Sequence, residues 1–314
     1  MIDLTQKRIL ITGGAGFLGR NIVRILESRG CDPESLIIPR SHTCDLRDID
    51  DVRGLLSLFI PDIIIHAAAQ AGGIGLNQAK PAELFYNNAI MGIQLMHEAY
   101  KGGVEKFVQI GTICEYPKFA PVPFHEASLW NGYPEDTNAP YGMAKKSLLV
   151  MGQAYRAQYG FNVIHLLPVN LYGPHDNFEE GSSHVIPALI RKFKEAKDKG
   201  LDKVVIWGNG EATREFLYVE DCAEAIVRAT ESYDGAEPVN IGIGSEISIK
   251  ELSNLIAKKL DFQGKVVYDV SKPNGQPRRC LDTQRAKQEF GFVAHTTLEE
   301  GLKKTIEWYL KEAR

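Results

Sequence analysis

The sequence has no Cys-x-x-Cys pair, and its five cysteines (Cys31, Cys44, Cys114, Cys222 and Cys280) are odd in number. Such a set excludes a disulfide framework and a cysteine zinc site, leaves no metal centre to expect, and fits a reducing cytoplasm. No apolar run approaches the roughly 20 residues needed to span a bilayer. Residues 1–8 run directly into a strand and lack the pattern of a secretory leader. Cationic side chains are scattered, with a net charge of −4 and no polybasic block. Nucleic acid and membranes therefore drop out as expected partners. Internal repeats, low-complexity tracts and flexible linkers are also missing. What remains is 314 residues of ordinary globular composition, 44% hydrophobic and 24% charged. That length suits one large domain with a smaller lobe.

Local patterns change near residue 170. Before it, short β-branched runs alternate with longer helical patterns. Buried strands are expected at 8–12, 35–38, 62–66, 106–110 and 162–167, and helices at about 17–30, 49–59, 83–100 and 141–159. Continuous apolar strands separated by helices imply an α/β fold: a doubly wound parallel (Rossmann) sheet covered on both faces. Further on, strands become isolated (203–207, 238–242, 265–268) and turns frequent. Ser248-Ile-Lys-Glu251 reads as a capping box and Gly291 as a helix-ending glycine. Residues 1–170 are thus expected to form a dinucleotide-binding domain. Residues 171–314 are expected to form mostly a smaller α/β lobe, with elements interleaved with the first. Ligands of such sheets bind beyond the C-terminal strand ends, between the two parts.

Gly13-Gly-Ala-Gly16-Phe-Leu-Gly19 follows the first strand and opens the first helix. Gly13 permits the tight turn, Gly16 lets backbone approach a pyrophosphate, and Gly19 allows close helix–strand packing. The helix N-terminus offers free N–H groups to phosphates. An NAD site usually carries an acid about 20 residues beyond the glycines. Here the neighbourhood reads Leu36-Ile-Ile-Pro-Arg40-Ser-His, with none. Arg40 is either a partner for a 2′-phosphate or a solvated surface arginine. NADP(H) is favoured, and NAD(H) stays open. Small residues in His66-Ala-Ala-Ala69, Ala67 and Ala69 among them, let the chain pass close to adenosine and phosphates. Asp45 is either an adenine contact or a helix cap.

Tyr141-Gly-Met-Ala-Lys145 places a phenol and an ammonium four residues apart, on one face of a helix. A phenol ionises near pH 10, and a nearby ammonium favours its anion. Tyr141 is the candidate acid/base. Lys145 also suits the nicotinamide ribose. Thr112, just past a strand, supplies a hydroxyl for a substrate carbonyl oxygen; otherwise it is a turn residue.

At this point the chain resembles the extended short-chain dehydrogenase/reductase family of nucleotide-sugar epimerases, dehydratases and reductases, over essentially its whole length. The similar segments are Gly72-Gly-Ile-Gly, Cys114-Glu-Tyr-Pro-Lys118, Pro168-Val-Asn-Leu-Tyr-Gly-Pro-His-Asp-Asn-Phe178, Ser183-His-Val-Ile-Pro-Ala-Leu189, Trp207-Gly-Asn-Gly, Arg214-Glu-Phe-Leu and Ser271-Lys-Pro-Asn-Gly. The resemblance is greatest to members that epimerise C3 and C5 and reduce C4 of a GDP-linked 4-keto-6-deoxy sugar with NADPH. A C4 reductase or 4-epimerase of another nucleotide-linked keto-sugar is the alternative. The resemblance implies catalytic roles for Cys114 and His184, which otherwise read as a buried thiol and a helix-start residue. Inverting a centre beside a ketone needs a base and an acid on opposite faces, and a thiol and an imidazole suit these tasks. It also implies cofactor contacts from Phe17, Leu18, Pro168, Asn170, Leu171 and His184. Nucleotide-sugar contacts are implied for Asn170, Val185, Leu189, Lys192, Trp207, Arg214 and Lys272, with a homodimer built from two helices, one carrying Tyr141.

Four positions depart from the pattern. Ala15 stands in place of an arginine, Thr112-Ile113 in place of two serines, and Lys192 in place of an arginine. Glu115 replaces an apolar residue beside Cys114. Its side chain either turns to solvent or takes part in the site, where it would raise the thiol's pKa or contact a different sugar.

Overall fold

The computed structural model describes residues 1–272 and 276–312. Pro273, Asn274 and Gly275, quoted above for the resemblance, lie outside the described residues. The first half runs β1 (Ile9–Thr12), α1 (Phe17–Ser28), β2 (Leu36–Ile37), α2 (Ile49–Phe59), β3 (Ile63–His66), α3 (Ile74–Ala79), α4 (Pro81–Lys101), β4 (Lys106–Ile110), α5 (Ala139–Tyr159) and β5 (Asn162–Pro168). The second runs β6 (Asn170–Tyr172), α6 (Val185–Asp198), β7 (Lys203–Trp207), β8 (Thr213–Arg214), β9 (Phe216–Tyr218), α7 (Val219–Ser232) and β10 (Val239–Ile241). It ends with β11 (Ile247–Ser248), α8 (Ile249–Lys259), β12 (Lys265–Asp269), α9 (Gln284–Phe290) and α10 (Leu298–Glu312).

Six parallel strands form one sheet in the order β10-β5-β4-β3-β1-β2. Helices cover both faces, as the continuous apolar strands require. Alternate strand residues serve alternate layers. Ile9, Ile11, Ile63 and Ile65 meet α1 and α7 on one face, whereas Leu10, Ile64 and Phe107 meet α2 and α4 on the other. β2 is shorter than its apolar run predicts, because Pro33–Ser35 forms a 3-10 turn capped by Asp32. The chain leaves β1 toward β2 and returns on the opposite side as β3, so the strand ends part there and open a crevice.

A separate core gathers Ile190 and Phe193 of α6, Val204 and Ile206 of β7, Ile256 of α8 and Ile306 of α10. Between residues 219 and 290 the chain returns to the large sheet. β10 pairs with β5, while α7 packs on α1 and α9 on α7. The Ser248–Glu251 capping box forms with both reciprocal bonds, and Gly291 ends α9 in the left-handed region at φ 65°.

Lys106 ties this return to the sheet. Its side chain is fully buried at the start of β4. Its Nζ donates to the carbonyls of Thr230 (2.8 Å) and Tyr233 (2.6 Å) and to Asp234 (3.0 Å). Those carbonyls lie at the C-terminal end of α7, where a helix leaves acceptors unpaired and concentrates negative potential. Lys106→Met should therefore lower stability by about 2–4 kcal/mol, seen as an earlier guanidinium unfolding midpoint. An unchanged midpoint would show that the α7 end needs no cation.

Candidate active site

The strand ends and the second lobe enclose a cavity of about 730 Å3. Its floor is the crevice between β1 and β3. Gly13 there has φ +71°, and a Cβ on it would lie 2.8 Å from the Ala68 nitrogen; one on Gly19 would strike the Gly13 carbonyl oxygen. Side chains at these positions would push α1 off the sheet. Gly16 caps α1 without any side-chain hydrogen bond, so the N–H groups of the first turn remain available. This donor set fits a pyrophosphate. Phe17, Leu18, Ala67, Ala69, Pro168, Asn170 and Leu171 line the cavity beside it.

Arg40 and Asp45 stand apart from the cavity lining. Arg40 is exposed and has no ion-pair partner among the described residues. Asp45 is gripped by Arg47 through Nε–Oδ1 at 2.9 Å and Nη2–Oδ2 at 2.6 Å. The Arg47 bond holds its carboxyl at about 2, so it is an anion locked into its own turn.

Tyr141 and Lys145 lie on the first turns of α5, after Pro140. Thr112, Cys114, Tyr141, Lys145 and His184 all line the one cavity. Thr112 and Cys114 sit on a one-turn 3-10 helix (Ile113–Glu115) directly after β4, and His184 is the N-cap of α6. α5 is pressed onto the 3-10 turn: a Cβ on Gly142 would collide with the Cys114 carbonyl. Lys145 is buried, and its Nζ donates to the Ile110 carbonyl at 3.1 Å. Burial pulls this amine down to about 8, against the charge of Glu115.

The i, i+4 spacing predicts that Lys145 draws the phenol of Tyr141 down. The structure corrects this. Burial pushes Tyr141 above its ordinary value, Cys114 and Glu115 push the same way, and only Thr112 opposes them. Desolvation wins because a phenolate in this wall would lose its water. Tyr141 is therefore a neutral phenol, an acid holding its proton. The His184 ring is open to the cavity yet surrounded by protein, and burial lowers its pKa, which makes its imidazolium a readier proton donor.

Glu115 also departs from expectation. It does not turn to solvent, nor does it reach the cavity: it is fully buried and hydrogen-bonded to His165.

At the outer end Trp207 is half exposed, with Lys192 Nζ 6.0 Å and Lys272 Nζ 5.6 Å from its ring centroid. Trp207, Lys192, Val185 and Arg214 line the cavity; Lys272 does not. Burial and the neighbouring Arg279 lower Arg214 to about 10, still a cation. Leu189 is packed in the second core and does not reach the lining. Sequence patterns missed Arg279, which is buried in the lining with Nη1 3.7 Å from Cys114 Sγ. Arg191, Asn138 and Gln276 were missed too. None belongs to a motif; Arg279 follows a second arginine in Pro277-Arg-Arg-Cys280, and only folding selects it.

Comparison with known proteins agrees with this geometry. Over 310 residues the chain is 42% identical to the GDP-L-fucose synthase of Sinorhizobium fredii, covering 99% of this chain and 98% of that one. Among solved structures, a GDP-6-OMe-4-keto-L-xylo-heptose reductase from Campylobacter jejuni superposes with a TM-score of 0.91 at 28% identity, covering 98% of this chain and 99% of that one. A GDP-L-fucose synthetase from Naegleria fowleri bound to NADP gives a TM-score of 0.87 at 28% identity, over 97% of this chain and 94% of that one. The family model for the NAD dependent epimerase/dehydratase family matches residues 9–242, from β1 through the strand that closes the large sheet. The match spans the glycine-cradled crevice as well as Tyr141 and Lys145, and the chain belongs to this family.

Proposed function

We propose that the chain is an NADPH-dependent 3,5-epimerase/4-reductase that converts GDP-4-keto-6-deoxy-D-mannose to GDP-L-fucose. The observation that carries this reading is the meeting of Thr112, Cys114, Tyr141, Lys145 and His184 on one cavity wall. Identity of 42% to a GDP-L-fucose synthase over nearly the whole length supports it.

The pyrophosphate of the cofactor would lie at Gly13 and Gly16, its 2′-phosphate at Arg40 and its nicotinamide ribose at Lys145, and it would supply a hydride to C4. Lys145 is charged below about pH 8 and so donates to the ribose at neutrality. Cys114 takes the α-proton, and His184, reaching the cavity from the other lobe, returns a proton to the opposite face. Thr112 and Tyr141 donate to the enolate oxygen between those steps. Tyr141 then gives its proton to the C4 oxygen. A phenol whose pKa is raised suits that task, because it arrives protonated. Arg214 suits pyrophosphate oxygens, while Trp207, flanked by Lys192 and Lys272, offers a flat face to ribose or base. The same reading makes the chain a cytoplasmic homodimer, supported by exposed Ile93 on α4 and Val150 on α5.

Incubation with GDP-4-keto-6-deoxymannose and NADPH in D2O, with the product identified by NMR, tests the reading. A product carrying deuterium at C3 and C5 is expected. The likeness to the Campylobacter jejuni reductase favours a second reading, a C4 reductase, which would yield product without deuterium. Tyr141→Phe should lower reduction by about 100-fold or more with NADPH binding retained; full turnover would remove its acid role. Cys114→Ser should abolish deuterium uptake, and unchanged uptake would exclude the thiol. Arg40→Ala should lower kcat/KM for NADPH by about 10–100-fold and leave NADH unaffected. Equal loss with both cofactors would refute a 2′-phosphate site.

A further inference from the structure

Glu115 stands directly behind the reacting groups and touches no part of the cavity. Its Oε1 accepts the Thr112 N–H at 2.9 Å, and His165 Nε2 lies 3.1 Å from each carboxylate oxygen. Thr112 Oγ1 in turn accepts the Cys114 N–H at 3.2 Å, closing a capping box over the 3-10 turn. His165 belongs to β5 and is the register partner of Gln109 on β4, so the box is anchored to the sheet. Gly111 leaves the room: a Cβ there would strike both His165 Nε2 and Glu115 Oε1.

Stability does not account for this pair. A proton on Nε2 makes the contact a hydrogen bond, while His165 Nδ1 is buried without a partner among the described residues. An orphaned ring nitrogen weakens a fold, and two apolar side chains would fill such a space at least as well. What the pair does provide is a fixed turn and a charge. The titratable groups facing Glu115 are His165 from β5, then Tyr141, Lys145 and Lys146 from α5, and Cys114 and Tyr116 on its own turn. Its charge favours the protonated form of Tyr141 and of both lysines.

We propose that Glu115 and His165 form a positioning pair for the reaction, fixing the turn that aims Thr112 and Cys114 and holding a buried negative charge behind Tyr141 and Lys145. The part concerning Thr112, Cys114 and Tyr141 rests on the epimerase-reductase reading; the part concerning Lys145 rests only on cofactor binding.

Two variants test it. Glu115→Gln keeps an acceptor for the Thr112 N–H and removes the charge; Glu115→Leu removes both. NADPH affinity, followed by fluorescence from pH 6 to 9.5, should weaken as Lys145 loses its proton near pH 8. In Glu115→Gln that weakening, and the alkaline limb of kcat, should move to lower pH. In Glu115→Leu, deuterium uptake and reduction should both fall by about 100-fold, with KM little changed. A merely structural glutamate would leave the pH profiles in place. Unmoved profiles in Glu115→Gln overturn the proposal, whatever Glu115→Leu does. Should the wild-type chain bind NADPH and ignore the keto-sugar, the epimerase-reductase reading fails, and the NADPH titration still decides the pair.

Discussion

The site depends on how closely α5 is pressed against the end of β4. No side chain can stand between Gly142 and the Cys114 carbonyl, so helix and turn meet backbone to backbone. One turn further along, the buried Lys145 ammonium donates to the Ile110 carbonyl, the last residue of the strand. That bond satisfies an acceptor at the strand end and fixes the rotation of α5 about its axis. Tyr141 then has one place to go, into the cavity beside Thr112. The sheet supplies the rest, because β4 and β5 are neighbours and the crevice opens between β3 and β1.

The same contact sets the electrostatics. An amine without water gives up part of its proton affinity, and a phenol without water clings to its proton. Tyr141 and Lys145 therefore shift apart, the phenol up and the ammonium down, while the charge of Glu115 favours the protonated form of both. On the outer side of the wall the guanidinium groups of Arg214 and Arg279 supply the balancing positive charge, Arg279 within 3.7 Å of the Cys114 sulfur. Reacting groups thus lie between buried negative charge on the sheet side and positive charge on the second lobe.

Much of this was legible in the chain. Strands buried on both faces write themselves as apolar runs, which is why all six strands of the large sheet could be placed within a residue or two. The glycine loop was legible because its chemistry is local: a turn, a close approach and a helix start within seven residues. β10 was visible as a strand, whereas its partner was not, since pairing with β5 joins segments about 70 residues apart. Glu115 was visible only as an odd residue beside Cys114. Its meaning lies in His165, 50 residues away, and no spacing links the two. Arg279 is farther still. The sign of the shift on Tyr141 was misread because i, i+4 spacing reports proximity to a charge and says nothing of how much water is lost.

One cavity can serve two reactions because both need the same polarised carbonyl. Removing a proton beside a ketone and adding hydride to that ketone each build negative charge on one oxygen, and each is helped by the same donors. Under the proposed function, Thr112 and a protonated Tyr141 at that oxygen would already favour reduction. Adding epimerisation requires only a base and an acid approaching from different directions, and the candidates under the proposed function come from the two lobes, Cys114 from the sheet and His184 from α6. The interleaved chain matters here. α7 and β10 carry the chain from the second lobe back into the large sheet, so the two sides of the cavity, each with its own core, are tied together at more than one point.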